Sequence, residues 1–300
     1  MRYAIDLPPF GPLADIRLLA EVANEAEQAG WDGFFLWDHL VREQAMDVPD
    51  TWVALTAIAL RAPRLTIGPI VTPLPRRRPA MLARETTTLD RLTDGRFILG
   101  VGQGGGATEW ENLGEVANLK TCAAMLDEGL DLLTKFWSGQ PFTHSGAHYT
   151  AHGDADPAGH VGDIQFLPTP IQQPRIPIWV AGAWPNKAPF RRAARWDGVV
   201  PLNATQSFGE MMSPEQTAEI ATYIHSQRPP ELRGQPFDIA HWGVTSGADL
   251  AADRATVFQY AEVGVTWWRE NINPWRFGWS GAGEWPLAAM RNRIRRGPPV

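Results

Sequence analysis

The chain has 300 residues, 44% hydrophobic and 20% charged, with a net charge of −6. That balance carries no basic footprint for nucleic acid or an anionic membrane surface, and no apolar run approaches the roughly 20 residues of a membrane span. The single cysteine, Cys122, excludes an internal disulfide framework and, with no partner thiol, reads as a small core residue.

Met1 to Leu7 enters a strand at once, with no charged segment and long apolar stretch before it, so a cytoplasmic location is expected. Short apolar runs then alternate with helical patterns along the chain. Strand Tyr3–Leu7 precedes helix Asp15–Ala29, where Ile16, Leu19, Ala20, Ala23 and Ala26 fall near helical spacing and Gly30 stops the run. Strand Gly33–Trp37 precedes helix Thr51–Leu60, and Arg64–Val71 precedes Pro79–Arg91. Strand Arg96–Val101 is followed, after a glycine-rich loop, by helix Leu119–Phe136. The remaining pairs are Ile176–Ala181 with Asn186–Ala194, Gly198–Leu202 with Ser213–Ser226, Phe237–Gly243 with Leu250–Glu262, and Val265–Glu270 with Glu284–Ile294.

Eight strands, each followed by a helix, point to an α/β fold: one (β/α)8 TIM barrel over residues 1–300. The rival, a doubly wound sheet, would more often break into two blocks, and no linker or composition shift divides the chain. One segment breaks the rhythm. From Ser138 to Thr169 no helix pattern appears, and Gly, His, Asp and Pro are abundant, so this stretch reads as an insertion between the fourth and fifth strands. Within it His144, His148 and His152 recur every four residues. Gly146 and Gly153 argue against a helix, Gly146 to Tyr149 reads as a short strand, and no metal site is expected.

In such a barrel the chemistry sits at the C-terminal strand ends. Asp38 and His39 follow an entirely apolar run and therefore reach the rim. The imidazole can exchange a proton near neutral pH and the carboxylate can hydrogen-bond a ligand. The competing reading makes Asp38 a loop cap and His39 a structural residue. The stretch from Gly95 to Gly106 runs from strand into glycine loop, with Glu109 and Trp110 just after it. Such a loop lets backbone approach a ligand and offers N–H groups to an anion. Gly100, Gly102 and Gly105 fit G-x-G-x-x-G, but the following helix is late and no acid stands at the next strand end, so a dinucleotide fingerprint is rejected. Glu109 reads either as a site acid or as a loop cap. Ala181-Gly182-Ala183, read as a turn before a helix, offers a second anion site. Arg76-Arg77-Arg78 could clamp an anionic tail, although a solvated charge run is the commoner meaning. The chain holds 14 tryptophans, several of them near strand ends, which suggests an aromatic pocket for a planar ring.

In this order, several segments resemble the bacterial-luciferase-like superfamily of flavin- and deazaflavin-dependent oxidoreductases. They are Glu25 to Gly33 leading into Trp37-Asp38-His39, Leu65 to Gly68, Pro79 to Arg84, and Thr88 to Asp90 with Gly95-Arg96. The glycine loop with Glu109, Pro170 to Trp179, and Ala193 to Gly198 complete the series. The resemblance implies a ring cofactor over the barrel mouth, with Asp38 hydrogen-bonding it and His39 facing the reacting side. It places a non-proline cis bond near Ile70-Val71 and assigns the cofactor's side chain and phosphate to Gly102, Gln103, Gly104, Ala181, Gly182 and Ala183. His39, Asp38 and Glu109 are the implied catalytic residues. Luciferases resemble Glu-His-His at the second strand end, whereas Trp37-Asp38-His39 stands closer to the F420 branch. F420-dependent sugar-phosphate dehydrogenases carry an acid where this chain has Gly105, which argues against a sugar phosphate.

The expected activity is therefore F420-dependent hydride transfer to or from a small apolar or aromatic substrate. The alternative is an FMN-dependent monooxygenase using O2. Two remoter readings are a barrel glycoside hydrolase using Glu109 and Glu270, and a non-catalytic flavin-binding protein. A homodimer is expected by resemblance, with no nucleic acid or membrane partner.

Overall fold

In a computed structural model of the chain, residues 1–105, 108–204 and 210–300 are described. Gly106, the last glycine of the loop, lies outside them. The strands are β1 (Arg2–Leu7), β2 (Gly33–Leu36), β3 (Thr66–Pro69), β4 (Thr72–Pro73), β5 (Leu99–Gly102), β6 (His144–Ser145), β7 (Thr150–Ala151), β8 (Ile178–Trp184), β9 (Gly198–Asn203), β10 (Asp238–Gly243) and β11 (Trp267–Asn271). The helices are α1 (Ile16–Gln28), α2 (Thr51–Arg61), α3 (Pro79–Leu92), α4 (Leu119–Ser138), α5 (Lys187–Ala193), α6 (Pro214–Gln227), α7 (Leu250–Glu262) and α8 (Leu287–Arg295). Two compact units result. One holds residues 1–72, 98–101 and 177–300, and the other residues 73–97 and 102–176.

The first unit carries the barrel strands. The nine-stranded sheet runs β3-β2-β1-β11-β10-β9-β8-β5-β4, so the first and last long strands of the chain are neighbours and pair in parallel, Ala4 opposite Arg269 and Asp6 opposite Asn271. The amide of Ile98, just before β5, donates to the Ile67 carbonyl of β3 at 3.0 Å and brings the two ends of the row together. This is the nearly closed (β/α)8 barrel expected from the strand–helix alternation.

Local sequence sets the elements. Asp15 caps α1 by accepting from the amides of Arg17 and Leu18, a contact of the kind worth about 1 kcal/mol. Leu19, Val22, Ala23 and Ala26 form its buried face, and Gly30, at φ +89°, ends the turn. Ser213 and Gln216 form a reciprocal capping box at the start of α6.

Along a strand, side chains alternate between faces, so residues two apart share the barrel interior. Ala4, Phe35, Trp179, Ala240 and Trp267 form one buried layer with Ile98 and Val200. The rings of Phe35, Trp179 and Trp267 lie 5.3–5.7 Å apart and fill its centre.

Three predicted boundaries need correction. The strand expected over Arg64–Val71 is interrupted: β3 ends at Pro69, the Ile70–Val71 peptide is cis, and β4 begins at Thr72. Ala181 to Ala183 are not a turn, because β8 continues in register with β9 as far as Trp184 opposite Asn203. Gly146 to Tyr149 are not a strand but the turn between β6 and β7, closed by the Gly146 amide on the Tyr149 carbonyl at 3.0 Å.

The second unit contains α3, α4 and the predicted insertion. The Trp137 indole donates to the Thr86 hydroxyl at 3.1 Å, tying α4 to α3. Buried Asp90 accepts from the Ile171 amide and the Gln172 side chain, both at 2.6 Å. Residues 139–169 contain no helix, as the sequence predicts.

Candidate active site

One pleat beyond the apolar layer, the same strands present a different set of residues. Asp6 follows Ala4 on β1, Trp37 follows Phe35 at the end of β2, Ala181 follows Trp179 on β8, Trp242 follows Ala240 on β10, and Arg269 follows Trp267 on β11. With Ile70, Val71 and the end of β9 they line a cavity of about 360 Å³, in the size range of small-molecule sites. Its position at the C-terminal strand ends is where barrel chemistry is built.

The walls are largely apolar, with Asn203, Glu210 and His241 among the lining residues, and Asp6, Trp37 and Arg269 form a buried polar network. Arg269 forms an ion pair with Asp6, both side chains 1% exposed. Its Nε donates to the Ala240 carbonyl at 3.1 Å. The other Asp6 oxygen accepts from the Trp37 indole at 2.6 Å. Burial pushes the Asp6 carboxyl upward, against the opposing pull of Arg269 and Trp37. The Nη2 of Arg269 is buried with no hydrogen-bond partner among the described residues.

The predicted site residues are distributed unevenly. Ile70, Val71 and Ala181 line the cavity. Asp38 is buried and accepts from the Thr72 hydroxyl, and its neighbour His39 is half-buried with its ring edge-on to Phe10 at 5.5 Å. Neither of the two lines the cavity, although Trp37 just before them does. Gly182 packs against α5, where a Cβ would stand 2.9 Å from Pro189. Gly104, at φ +72°, has a packing reason of its own: a Cβ there would meet the Trp110 ring at 1.9 Å. Glu109 belongs to the second unit with Gln103, and its carboxylate lies 3.4 Å from Arg76, whose side chain is 3% exposed. Arg76 is thus a buried ion-pair partner rather than part of a solvated charge run. Trp37 and Trp242 line the cavity, whereas Trp267 and Trp268 are buried in the core.

Glu270 is not a rim acid. It is fully buried, accepts from the Thr245 amide and hydroxyl and the Trp268 indole, and is closed in by Arg276 at 2.8 Å and Arg293 at 3.4 Å. The pair of strand-end carboxylates that a hydrolase would require is therefore not assembled from it.

Asp6 and Arg269 are the residues that sequence reasoning missed. The signal was present: Asp6 and Arg269 each stand two positions after an inward apolar residue of their strand, and a charge on that face has to find a partner in the interior. What the sequence could not show is that these two strands, at opposite ends of the chain, are neighbours.

His241 alternates with the inward Ala240 and Trp242 and stacks on Tyr260 of α7 at 4.4 Å and on Trp268 at 5.7 Å. Burial, then the Arg269 charge, pushes its pKa down to about 3, so the ring is neutral in the fold. The unfolded chain takes up this proton below about pH 6.5, so stability falls as pH drops from there toward 3, by about 1.4 kcal/mol per pH unit for this one group. Urea unfolding at pH 7 and pH 5 should show a loss about 2 kcal/mol smaller in His241→Phe than in the unaltered protein. Equal losses would mean that the ring charges within the fold.

A family model described as luciferase-like monooxygenase matches residues 5–233. The chain belongs to this family. An F420-dependent glucose-6-phosphate dehydrogenase of Intrasporangium calvum is 32% identical over 193 residues, 60% of this chain and 51% of that protein. The chain thus spans about half the length of the curated relatives it matches. Among solved structures, an F420-dependent secondary alcohol dehydrogenase in complex with an F420-acetone adduct aligns over 90% of this chain and 92% of its own, with a TM-score of 0.70 and 15% identity. Monooxygenase RslO1 from Streptomyces bottropensis aligns over 98% of this chain and 97% of its own, with a TM-score of 0.70 and 17% identity. These likenesses establish the luciferase-like barrel. No helix among the described residues is long and apolar enough to cross a membrane.

Proposed function

We propose that the protein is an F420-dependent oxidoreductase acting on a small apolar or aromatic molecule. The observation that carries this reading is the cavity at the C-terminal strand ends of a luciferase-like barrel, backed by Ile70 and Val71 and walled by Trp37 and Trp242. Its size and largely apolar lining, with a few polar residues among it, suit a planar ring. When bound, F420 would supply hydride exchange at its deazaflavin ring.

The chain's own residues have separable tasks. Ile70, Val71 and Ala181 would support one face of the ring, and the apolar walls would keep water from the reacting atoms. Asp38, positioned by the Thr72 hydroxyl, would anchor the ring system, and His39 would hold or deliver the substrate proton. Phe10 and Trp37 fix the imidazole between them. Gly102, Gln103, Gly104, Gly182 and Ala183 are assigned to the cofactor's side chain, and Glu109 to a secondary acid role, tempered by its contact with Arg76. A sugar phosphate is disfavoured, because Gly105 brings no side chain where the corresponding dehydrogenases carry an acid. An FMN-dependent monooxygenase is the second reading, supported by the likeness to RslO1 over nearly the whole chain. We also assign a homodimer and a cytoplasmic location.

Parallel titration with F420 and FMN decides between the two cofactors. Binding of F420 with little or no FMN binding is expected. Asp38→Ala should weaken cofactor binding about tenfold, the loss of one charge-assisted hydrogen bond. His39→Ala should lower turnover by about 10²-fold or more while leaving cofactor affinity nearly unchanged. Full turnover in His39→Ala would remove it from the mechanism.

A further inference from the structure

A second cavity, of about 720 Å³, opens at the C-terminal strand ends and shares no lining residue with the first. Three loops of the first unit form it: the turn after β1 at Gly11-Pro12, the loop after β2 from Ala45 to Asp47, and the segment between β11 and α8 from Trp279 to Leu287. Trp279 and Trp285 are among its walls, their rings 5.6 Å apart and inclined at 50°. Trp275 packs on Trp279 at 5.4 Å, and all three rings are half-buried. Large aromatic rings gathered on a surface loop, outside the core, mark a place where a ligand can be held.

The fold itself fixes these loops. The Gly11 amide donates to the Asp47 carbonyl at 2.9 Å and joins the first two. Gly11 has φ +54°, and a Cβ there would stand 3.0 Å from the Trp285 ring, so glycine lets the indole lie against the β1 turn. In the third loop the Trp279 indole donates to the Gly283 carbonyl and the Trp279 amide to the Pro274 carbonyl, both at 3.1 Å. Arg276 ties the start of that segment to Glu270 at 2.8 Å. Walls anchored in this way lower the ordering cost of binding.

Charge selects the kind of ligand. Asp47 and Glu284 line the cavity as exposed carboxylates, and neither side chain has a hydrogen-bond or ion-pair partner among the described residues. No lysine, arginine or histidine is among the lining residues, so an anion meets no counter-charge there. Indole faces attract cations through the ring quadrupole, and aromatic walls of this kind recognise methylated ammonium groups. A primary ammonium is strongly hydrated and brings three N–H donors to satisfy. A quaternary ammonium has none, and its methyl groups suit apolar rings. We propose that this cavity binds a quaternary ammonium compound, with Trp279 and Trp285 receiving the methylated cation and Asp47 and Glu284 supplying the counter-charge. The assignment stands apart from the cofactor reading and needs no F420.

Choline and neohexyl alcohol, in which carbon replaces the quaternary nitrogen, share a shape and differ in charge. Calorimetric titration of the full chain with each, and with glucose as a neutral sugar, tests the assignment. Choline should bind saturably, with a dissociation constant on the order of 1 mM or below, and at least about fivefold more tightly than the alcohol. The double variant Asp47→Asn/Glu284→Gln should weaken choline about fivefold and the alcohol less than about twofold. Both side chains are exposed and carry no contact of the fold, so this variant keeps its structure. Trp279→Leu should weaken choline by about fivefold as well. Equal affinity for choline and the alcohol, or tighter binding of glucose, would overturn the proposal, as would no choline binding below about 50 mM. Choline affinity unchanged in both variants would place the cation elsewhere and also overturn it. Should Trp279→Leu fail to fold, the carboxamide variant alone decides.

Discussion

Gly68→Ala and Gly100→Ala are each expected to lower the unfolding free energy by about 3 kcal/mol, the upper end of what an added methyl group costs in a packed interior. A Cβ at Gly68 would stand 2.0 Å from the Ile98 carbonyl oxygen, and one at Gly100 would stand 2.2 Å from the Pro69 carbonyl oxygen. In both cases the obstacle is backbone, so no side-chain rotation relieves the overlap. The two glycines face each other's strands where β3 meets β5, at the same place as the Ile98-to-Ile67 hydrogen bond. Relief would require the strands to separate, and the bond between them would be lost. Urea unfolding of the two variants measures the effect. Losses below about 1 kcal/mol, the range of an ordinary surface substitution, would mean that the strand crossing is slack.

Breaking the buried ion pair should be comparably severe. Asp6→Leu leaves the Arg269 guanidinium uncompensated at 1% exposure and should cost about 3–5 kcal/mol. Arg269→Met leaves the Asp6 carboxylate in the same position, although burial already pushes that carboxyl upward and protonation can relieve part of the cost. The double variant Asp6→Leu/Arg269→Met removes both charges and should be more stable than Asp6→Leu alone, since a buried pair replaced by apolar groups of similar size is often close to neutral. A double-mutant cycle in urea reads the coupling directly. Strictly additive losses would show that the two groups do not compensate one another.

Much of the barrel was legible in the chain because its signals are local. The strand runs and the helices with their caps, such as Asp15 before α1 and Ser213 before α6, depend on residues a few positions apart. So did the unbroken stretch without helix after Ser138. The interruption at Ile70-Val71 was reached only through resemblance, since two β-branched residues ending an apolar run look like an ordinary strand end. The continuation of β8 through Gly182 was hidden because glycine and alanine carry little strand preference, and only the pairing with β9 holds them extended.

The candidate site divides along the same line. Trp37, Asp38 and His39 stand together in sequence, and their place at the end of an apolar run was enough to mark them. Glu109 and Glu270 looked equivalent as strand-end acids. Only the fold reveals that Glu270 is enclosed by Arg276 and Arg293, and that Glu109 lies against Arg76. By itself the sequence determined the alternation of strands and helices, the family, and the residues next to the second strand, because each rests on near-neighbour pattern. Tertiary structure alone decided that Asp6 meets Arg269 across 263 residues, and that Gly68 and Gly100 are required where two strands cross. Those facts arise from closing the barrel, which brings the two ends of the chain into register and sets charges and backbones against each other that no local pattern relates.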